Sequence, residues 1–290
     1  MSTAPLEKHS AIAPRPNDKQ KIAEHYDFVS PYYQSLWGEH IHHGYWIRGD
    51  ESKELAQIQL IEHLAQLANL RTGSAVLDIG CGFGGTSLYL AQKYKACVTG
   101  ITISPVQVEM ARKAAVAAQS DAQFLLMDAE ALNFPLQFDF LWSVESISHY
   151  HDHRRFFANA ARFLKPGGTF ALTDWFKRDG LSTAQTRKFI EPIERGMYVD
   201  LEIMDDYESY LVASGLQIVH RQDLTRQCAQ TWDLGLDMIR ERSLWAIATK
   251  KGKDFVTYLK AFRAIRAAYT SGNFVYGLFI ARKPLYSNAK

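Results

Sequence analysis

Two residues near successive predicted strand ends are suited to proton transfer. His149 follows the predicted strand 138–144, and Asp174 closes the predicted strand 169–174. A histidine can take a proton from a hydroxyl group, and a nearby carboxylate can orient the ring and stabilise its charged form. The pair predicts general base catalysis, with His149 as the base and Asp174 as its orienting partner. The alternative is that His149 only shapes a pocket and Asp174 is a structural carboxylate.

A glycine-rich loop offers a ligand site earlier in the chain. Residues 76–85 read Val-Leu-Asp-Ile-Gly-Cys-Gly-Phe-Gly-Gly and lie between an apolar segment and a helical pattern. Glycines let a ligand approach the main chain closely. Their spacing is Gly-x-Gly-x-Gly, whereas dinucleotide sites carry Gly-x-Gly-x-x-Gly. Asp78 would repel a pyrophosphate but suit a positively charged amino-acid group. A nicotinamide-dependent oxidoreductase and a turn without a ligand are therefore the less favoured alternatives.

Short apolar segments alternate with helical patterns from residue 75 onward, which predicts an α/β fold with a parallel sheet covered on both faces. In such sheets, ligands bind beyond the carboxyl ends of the strands. We expect the fourth and fifth strands to be neighbours, so that His149 and Asp174 emerge on the ligand side. The predicted strands cover residues 75–79, 96–101, 123–127, 138–144, 169–174, 216–223 and 274–282. The predicted helices cover residues 85–93, 104–118, 152–164, 182–195, 204–214, 229–249 and 253–271.

Two helices are predicted before the first strand. The first covers residues 19–27 and stops near Ser30, because a residue that precedes proline avoids the helical region. The second begins after Asp50, a candidate N-cap, and carries apolar residues at helical spacing between Leu55 and Leu67. An aromatic segment, Pro31–Trp46, joins them.

Four motifs, in order along residues 50–282, resemble those of class I S-adenosylmethionine-dependent methyltransferases. The resemblance implies a Rossmann-like, seven-stranded, mostly parallel sheet and S-adenosylmethionine as cofactor. It also implies that Asp128, followed by Ala129, hydrogen-bonds the adenine amine, and that the glycine loop lies against the methionine portion. The motifs are Asp78-x-Gly80-x-Gly82-x-Gly84, Thr99–Gln107, Met127–Ala129 and Leu164–Gly168.

One branch of that family, which includes tocopherol C-methyltransferases, is similar in two further segments. Many class I enzymes hold the ribose with an acid after the second strand, but Ile101-Thr102-Ile103 stands here, as in the Gly-Ile-Thr-x-Ser stretch of that branch. Thr102 and Gln107 become the ribose candidates, with Ile103 beside them. The segment Tyr32–Trp46 resembles the N-terminal lid of the branch, in which tyrosines can contact the cofactor. Tyr32 and Tyr33 are therefore candidates for contact with the cofactor. The alternative is that their rings only pack the N-terminal segment onto the sheet.

The segment Glu145-Ser146-x-x-His149 resembles the Glu-Ser-x-x-His of small-molecule O-methyltransferases, in which the histidine serves as base. Glu145, which ends the fourth strand region, is added to the cofactor-binding candidates. Alternating histidines at 149, 151 and 153 and a cluster at 40, 42 and 43 invite a metal site. No cysteine or carboxylate pattern completes a ligand shell, so we expect no metal.

Composition excludes several classes of protein. The 290 residues include 33 basic and 31 acidic ones, for a formal net charge of +2, which gives no overall attraction to nucleic acid. No apolar run approaches the ~20 residues of a membrane span. The three widely spaced cysteines suggest reduced thiols and a cytoplasmic location.

The helical patterns before the last strand predict a substrate pocket. We expect a flexible tail at 1–18, a helical N-terminal lid at 19–72 and a methyltransferase domain at 73–290, with cap insertions near 180–214 and 226–271. So much apolar surface suits a small lipophilic or aromatic natural product as the acceptor of a methyl group on oxygen, carbon or nitrogen. Membrane contact is less favoured, and a homo-oligomer is compatible with the sequence. The remaining alternatives are an enzyme of the same fold with a different reaction, such as a cyclisation, and a cofactor-binding module without activity.

Overall fold

The computed structural model describes residues 18–241, 244–245, 247–248 and 252–285. Seven strands form one sheet in the order β3-β2-β1-β4-β5-β7-β6. Strand β7 is antiparallel to β5 and β6, and the pairs from β3 to β5 are parallel. The predicted mostly parallel sheet is confirmed. The strands are β1 (Ala75–Ile79), β2 (Cys97–Thr102), β3 (Gln123–Leu126), β4 (Phe138–Val144), β5 (Leu164–Lys177), β6 (Gln217–Asp223) and β7 (Phe274–Arg282).

Eleven α-helices in the described part of the chain surround the sheet, and a π-helical segment, Thr186–Ile190, joins α6 to α7. The predicted helix 229–249 corresponds in part to α10, which ends at Met238, and residues 242–243, 246 and 249 lie outside the described residues. The helices are α1 (Lys19–Leu36), α2 (Lys53–Ala68), α3 (Gly85–Tyr94), α4 (Pro105–Ala117), α5 (His153–Ala160), α6 (Thr183–Gln185), α7 (Glu191–Met197), α8 (Met204–Ala213), α9 (Thr225–Cys228), α10 (Gln230–Met238) and α11 (Lys253–Thr270).

The sheet is buried on both faces because most residues of its central strands are apolar and buried. Successive side chains of a strand point to opposite faces. Val76 and Trp142 accordingly join α2 and α11 in one core, whereas Leu77 and Leu141 join α5 and α8 in the other. Helix α2 therefore belongs to the core of the sheet, and none of its residues lines the cavity described below.

Two predictions about the N-terminal helices are wrong. The N-cap of α2 is Ser52, whose hydroxyl accepts a hydrogen bond from the N–H of Leu55, and not Asp50. Helix α1 continues through Pro31 to Leu36 instead of stopping near Ser30. Proline removes one helical hydrogen bond, but contacts with α4 described below hold this turn in place. The predicted tail, residues 1–18, lies outside the described residues except for Asp18, which caps α1.

The predicted adjacency of the fourth and fifth strands is confirmed. Strand β4 pairs with β5 up to Val144 opposite Thr173, so the residues that follow both strands meet at one edge of the sheet. The three cysteines are unpaired. Over the described residues, no helix is long and apolar enough to cross a membrane.

Candidate active site

A deep cavity lies at the carboxyl ends of β1, β2, β4 and β5. Helix α1 and residues 37–43 cover it on one side, and α10 and α11 form the far wall. Of the predicted cofactor residues, Tyr33, Asp78, Gly80, Gly82, Thr102, Ile103, Gln107, Asp128, Ala129 and Glu145 line this cavity, whereas Tyr32 and Gly84 are not among its lining residues.

The glycines of the loop at residues 80–84 lie close to side chains of neighbouring segments. Gly80 has φ +76, and a Cβ there would lie 2.0 Å from the Ser146 hydroxyl oxygen. Gly82 has φ +55, and Ile41 of the covering segment lies against it. Gly84 is the N-cap of α3, and a Cβ there would lie 2.9 Å from the ring of Phe124. Gly80 and Gly82 thus leave space in the cavity wall, while Gly84 serves packing behind it.

Asp78 is a buried carboxylate in the cavity wall. Its side chain accepts a hydrogen bond of 2.5 Å from the Ser87 hydroxyl. Burial raises the pKa of Asp78 to about 7, although the Ser87 bond acts against this shift. A buried carboxylate with one hydrogen-bond donor is poorly compensated. A ligand that brings a positive charge to Asp78 would stabilise its ionised form.

The cavity as a whole favours a cation over a phosphate. Its described lining residues include five carboxylates and a single lysine or arginine, Lys19. Burial lowers the pKa of His25 and of His40 to about 3, so these rings add no positive charge at neutral pH. This charge balance fits the sulfonium and ammonium groups of S-adenosylmethionine and opposes a pyrophosphate. The carboxylates belong to Glu39, Asp78, Asp128, Glu130 and Glu145.

The ribose candidates Thr102 and Gln107 bond to each other. The Thr102 hydroxyl donates to the Gln107 amide oxygen at 2.7 Å, and the Gln107 amide nitrogen donates to the Ser30 hydroxyl at 3.0 Å. Asp27 of α1 accepts hydrogen bonds from the Ser104 hydroxyl and the Val106 N–H at the start of α4. Helix α1 is therefore anchored beside Ile103 and the ribose candidates through Asp27 and Ser30, which precede Pro31.

Asp128, the adenine candidate, is paired with the covering helix. The Lys19 ammonium lies 2.6 Å from a carboxylate oxygen of Asp128 and 2.8 Å from one of Glu130. The other oxygen of Asp128 caps the short helix Ala129–Ala131 by accepting the N–H of Glu130. Both Lys19 and Asp128 are partly exposed, and such ion pairs contribute little stability. A ligand at this edge can therefore displace Lys19 at small cost.

The two adjacent tyrosines have different surroundings. The Tyr33 hydroxyl forms a short hydrogen bond with that of Tyr258 on α11, at the cavity wall. The ring of Tyr32 packs on Phe28, with 5.4 Å between ring centres. The interpretation that the ring only packs the N-terminal segment in place thus fits Tyr32, and Tyr33 remains a candidate for ligand contact.

Glu145 is held by a buried network. Its carboxylate accepts hydrogen bonds from the His43 N–H, the Trp175 indole and the Tyr276 hydroxyl, and the ring Nδ1 of His43 lies 3.0 Å away. Burial alone would raise the pKa of Glu145, but His43 beside it holds this pKa at about 2. Its φ of +54 is uncommon for a residue other than glycine. Glu145 thus presents an ionised carboxylate fixed by the cavity wall.

His149 is the titratable group best placed for proton transfer. Its Nδ1 lies 3.0 Å from the Tyr198 carbonyl, and its Nε2 lies 2.8 Å from the Tyr26 hydroxyl of α1. Since a carbonyl only accepts, Nδ1 carries the proton and Nε2 carries a lone pair. Burial lowers the pKa of His149 to about 4, although the Tyr198 carbonyl and Glu145 act against this shift. The ring is therefore an unprotonated base at neutral pH.

The structure does not pair Asp174 with His149. The Asp174 carboxylate is fully buried and accepts hydrogen bonds from the N–H groups of Ser148 and Trp175 and from the Tyr207 hydroxyl. The Tyr198 carbonyl occupies the orienting position on His149, so this predicted role of Asp174 is wrong. Asp174 instead holds the backbone next to His149 through the N–H of Ser148.

Sequence reasoning missed Lys19 and also Tyr26, whose hydroxyl lies 2.8 Å from Nε2 of His149. A signal was present, since Ile22, Tyr26 and Tyr33 repeat at helical spacing and share the face of α1 that lines the cavity. Ending the helix near Ser30 hid this pattern. Trp175 on β5 and Tyr276 on β7, which donate hydrogen bonds to Glu145, gave no signal because these contacts join strands that are distant in sequence.

The chain matches one protein family, and it is similar to curated methyltransferases and to solved structures over most of its length. Residues 14–275 match the mycolic acid cyclopropane synthetase family. A 27-O-demethylrifamycin SV methyltransferase of Amycolatopsis mediterranei (strain S699) is 33% identical over 280 residues, which cover 93% of this chain and 98% of that protein. The chloroplastic tocopherol O-methyltransferase of Arabidopsis thaliana is 29% identical over 299 residues, covering 92% and 83%. Among solved structures, the [4+2]-cyclase SpnF has a TM-score of 0.82 at 26% identity, covering 92% and 97%.

These matches confirm the predicted resemblance to class I methyltransferases, the fold and the cofactor. They contradict the alternative of a nicotinamide-dependent oxidoreductase. The matched family segment contains all four motifs and the covering helix α1. The chain belongs to the mycolic acid cyclopropane synthetase family, and it is an S-adenosylmethionine-dependent methyltransferase.

Proposed function

We propose that the enzyme methylates a hydroxyl oxygen of an uncharged, lipophilic natural product, with His149 as the base. The observation that carries this proposal is the unprotonated His149, with its lone pair on Nε2, in a cavity whose far end is lined by aromatic and thioether side chains. Two relatives support it, because one is named for a demethylrifamycin and the other for tocopherol. In this proposal, residues 19–43 form the lid of the site.

The end of the cavity that α10 and α11 form, which we assign to the methyl acceptor, provides among the described residues no cationic partner for a charged substrate group. The side chains there are aromatic or thioether groups, and Lys19, the one lysine or arginine among the described lining residues, is engaged with Asp128 and Glu130. Burying an unpaired charge costs several kcal/mol. The acceptor is therefore uncharged where it contacts Met197, Trp175, Trp232, Met238, Tyr258 and Phe262.

The proton step follows from the state of His149. The cofactor supplies a methyl group activated by its sulfonium, so alignment provides much of the acceleration. A hydroxyl becomes strongly acidic as its oxygen gains the methyl group, and a weak, unprotonated base is then sufficient. The Tyr198 carbonyl keeps the proton on Nδ1, which leaves Nε2 to accept the proton of the hydroxyl. The acceptor hydroxyl takes the place of Tyr26 on Nε2.

Cofactor binding is expected to depend on pH through Asp78. In the free enzyme the pKa of Asp78 is raised to about 7, and an ammonium group beside it would lower this pKa. Binding therefore releases a proton below pH 7, and the affinity for S-adenosylhomocysteine rises by up to about tenfold per pH unit until Asp78 is ionised. Calorimetry over a pH series measures this slope. Methylthioadenosine, which lacks the amino-acid group, serves as the control ligand and should show a flat profile; equal slopes for both ligands would contradict the role of Asp78.

A matched pair of acceptors tests the proposed substrate class. One is a phenol with an apolar tail, and the other is the same phenol with a phosphate at the end of the tail. We expect kcat/KM to fall by about tenfold or more for the phosphorylated compound, because its charge is buried without a partner. Product formation is followed by chromatography. Equal kcat/KM values for the two compounds would overturn the proposal of an uncharged acceptor.

A cyclisation in the same chamber is a second candidate activity, in addition to methyl transfer. Its support is the likeness to SpnF, a [4+2]-cyclase. A cyclisation would need the shape of the chamber but no base at Nε2 of His149. The two candidates therefore differ in the mass of the product and in the effect of replacing His149.

A further inference from the structure

A small polar cluster lies in the wall of the catalytic cavity, in addition to His149. It consists of the His25 imidazole and the Tyr33 hydroxyl on α1 and the Tyr258 hydroxyl on α11, and all three residues line the cavity. We propose that this cluster binds a second hydroxyl group of the methyl acceptor, so that the substrate is a lipophilic compound with two hydroxyl groups. The inference rests on the proposed methylation at His149 and narrows its substrate class.

The two tyrosine hydroxyls have one proton more than their mutual contact uses. They form a short hydrogen bond with each other, in which one hydroxyl donates and the other accepts. Burial raises the pKa of Tyr33 to about 12 and also raises that of Tyr258, so both keep their protons at neutral pH. The proton of the accepting hydroxyl has no acceptor among the residues that the structure describes. Since buried polar groups are almost always hydrogen-bonded, we expect this proton to serve an oxygen of a ligand.

His25 is an uncharged imidazole whose two nitrogens are unused. Its ring packs edge-on against Tyr258, with 4.7 Å between ring centres, and it also contacts Tyr26 and Tyr198. Neither nitrogen has a hydrogen-bond partner in the described part of the chain, and neither is closed off from the space around the ring. Burial lowers the pKa of His25 to about 3, and His149 acts in the same direction. A neutral imidazole has one N–H donor and one lone pair, so His25 can both donate and accept.

The donors and acceptors of the cluster select a hydroxyl group. A hydroxyl can donate to the His25 lone pair and accept the spare tyrosine proton, whereas a ketone or ether oxygen can only accept. A carboxylate or phosphate would bring a charge, and Lys19, the one lysine or arginine among the described lining residues, pairs with Asp128 and Glu130. Burying an unpaired charge costs several kcal/mol. A second uncharged hydroxyl is therefore the group that uses the cluster most fully.

The cluster and the base share a neighbour, Tyr26. The centre of its ring lies 5.4 Å from that of His25 and 5.4 Å from that of His149. A substrate hydroxyl at Nε2 of His149 and a second one at His25 would therefore contact side chains that pack on the same tyrosine. We expect the two hydroxyl groups to lie close together in the substrate, as on one aromatic ring.

The experiment compares a phenol that carries an alkyl tail with the three dihydroxybenzenes that carry the same tail, with ortho, meta or para hydroxyls. Chromatography of the O-methylated product measures kcat/KM. We expect the wild-type value to be about tenfold or more higher for at least one dihydroxy compound than for the phenol. In His25→Phe and in Tyr258→Phe, which keep an aromatic ring, this ratio should fall to about two, the value for two equivalent hydroxyls. Tyr89→Phe is the control, because its hydroxyl bonds Glu62 outside the cavity, and it should keep the wild-type ratio.

The outcomes separate this inference from the function on which it rests. Calorimetric affinity for S-adenosylhomocysteine checks that the His25 and Tyr258 variants are folded, and it should stay within about threefold of the wild type. A wild-type ratio near two, or a high ratio that both variants retain, would overturn the second-hydroxyl site and leave the methylation at His149 in place. No O-methylated product from any of the four compounds would instead contradict the proposed function, and this inference with it.

Discussion

Replacing His149 by alanine is expected to lower kcat by about 10²-fold or more while leaving the affinity for S-adenosylhomocysteine nearly intact. The variant removes the Nε2 lone pair that faces Tyr26 and the Nδ1 contact with the Tyr198 carbonyl. The glycine loop and Asp78, which carry the proposed cofactor contacts, stay in place. The measurements are kcat at saturating cofactor and acceptor, and the calorimetric affinity for S-adenosylhomocysteine.

Two further variants decide whether the loss comes from the base itself. Tyr26→Phe removes the hydroxyl that occupies Nε2 but keeps the imidazole, so kcat should fall less than in His149→Ala. His63→Ala replaces a histidine that bonds Gln222 at 2.8 Å and lies outside the cavity, so kcat should be unchanged. An unchanged kcat in His149→Ala would remove His149 from the chemistry. A parallel loss of cofactor affinity would show that the residue only shapes the pocket.

Replacing Asp78 by asparagine is expected to weaken the binding of S-adenosylhomocysteine by about 30-fold to about 4 × 10³-fold. Removing one partner of a buried, hydrogen-bonded charge pair costs about 2–5 kcal/mol, and 1.4 kcal/mol is about tenfold in affinity. Asparagine keeps the size of the side chain and can keep the contact with Ser87. The affinity for methylthioadenosine, which has no amino group, should change little.

Protein stability gives the same variant an independent readout. The pKa of Asp78 is raised from its usual value of 3.8 to about 7 in the folded protein. The contribution of protonated Asp78 to the free energy of unfolding is therefore fully present below pH 3.8. It is lost as the pH rises through about 7. Asp78→Asn avoids this loss, so its Tm in the absence of ligand should equal or exceed that of the wild type above pH 7. A lowered Tm together with weaker binding of both ligands would indicate a folding defect and contradict the proposed ion pair.

Local sequence patterns predicted the sheet and the cofactor loop well, for identifiable physical reasons. Strands 75–79, 138–144 and 274–282 have the predicted bounds, because each is a compact apolar segment between clear turn signals. The glycine loop was recognisable since the positive φ values of Gly80, Gly82 and Gly84 suit glycine. Such signals depend on neighbours in sequence.

The features that were missed depend on contacts between distant residues. Helix α1 passes Pro31 because Asp27 and Ser30 bond to the start of α4, and the local rule for proline contains no information about α4. Strand order correctly placed His149 and Asp174 near one edge of the sheet. It could not show that the Tyr198 carbonyl, which follows α7, takes the orienting position on the ring.

The most direct test of the central claim is the mass of the product formed from S-adenosylmethionine labelled with deuterium in its methyl group. A lipophilic phenol or polyketide alcohol is incubated with the enzyme, and S-adenosylhomocysteine and the acceptor product are measured together by mass spectrometry. Methyl transfer predicts equal amounts of S-adenosylhomocysteine and of a product that carries the labelled methyl group on oxygen. Conversion of the acceptor to a product of unchanged mass, with no S-adenosylhomocysteine formed, would contradict the account and favour a cyclisation in the same chamber.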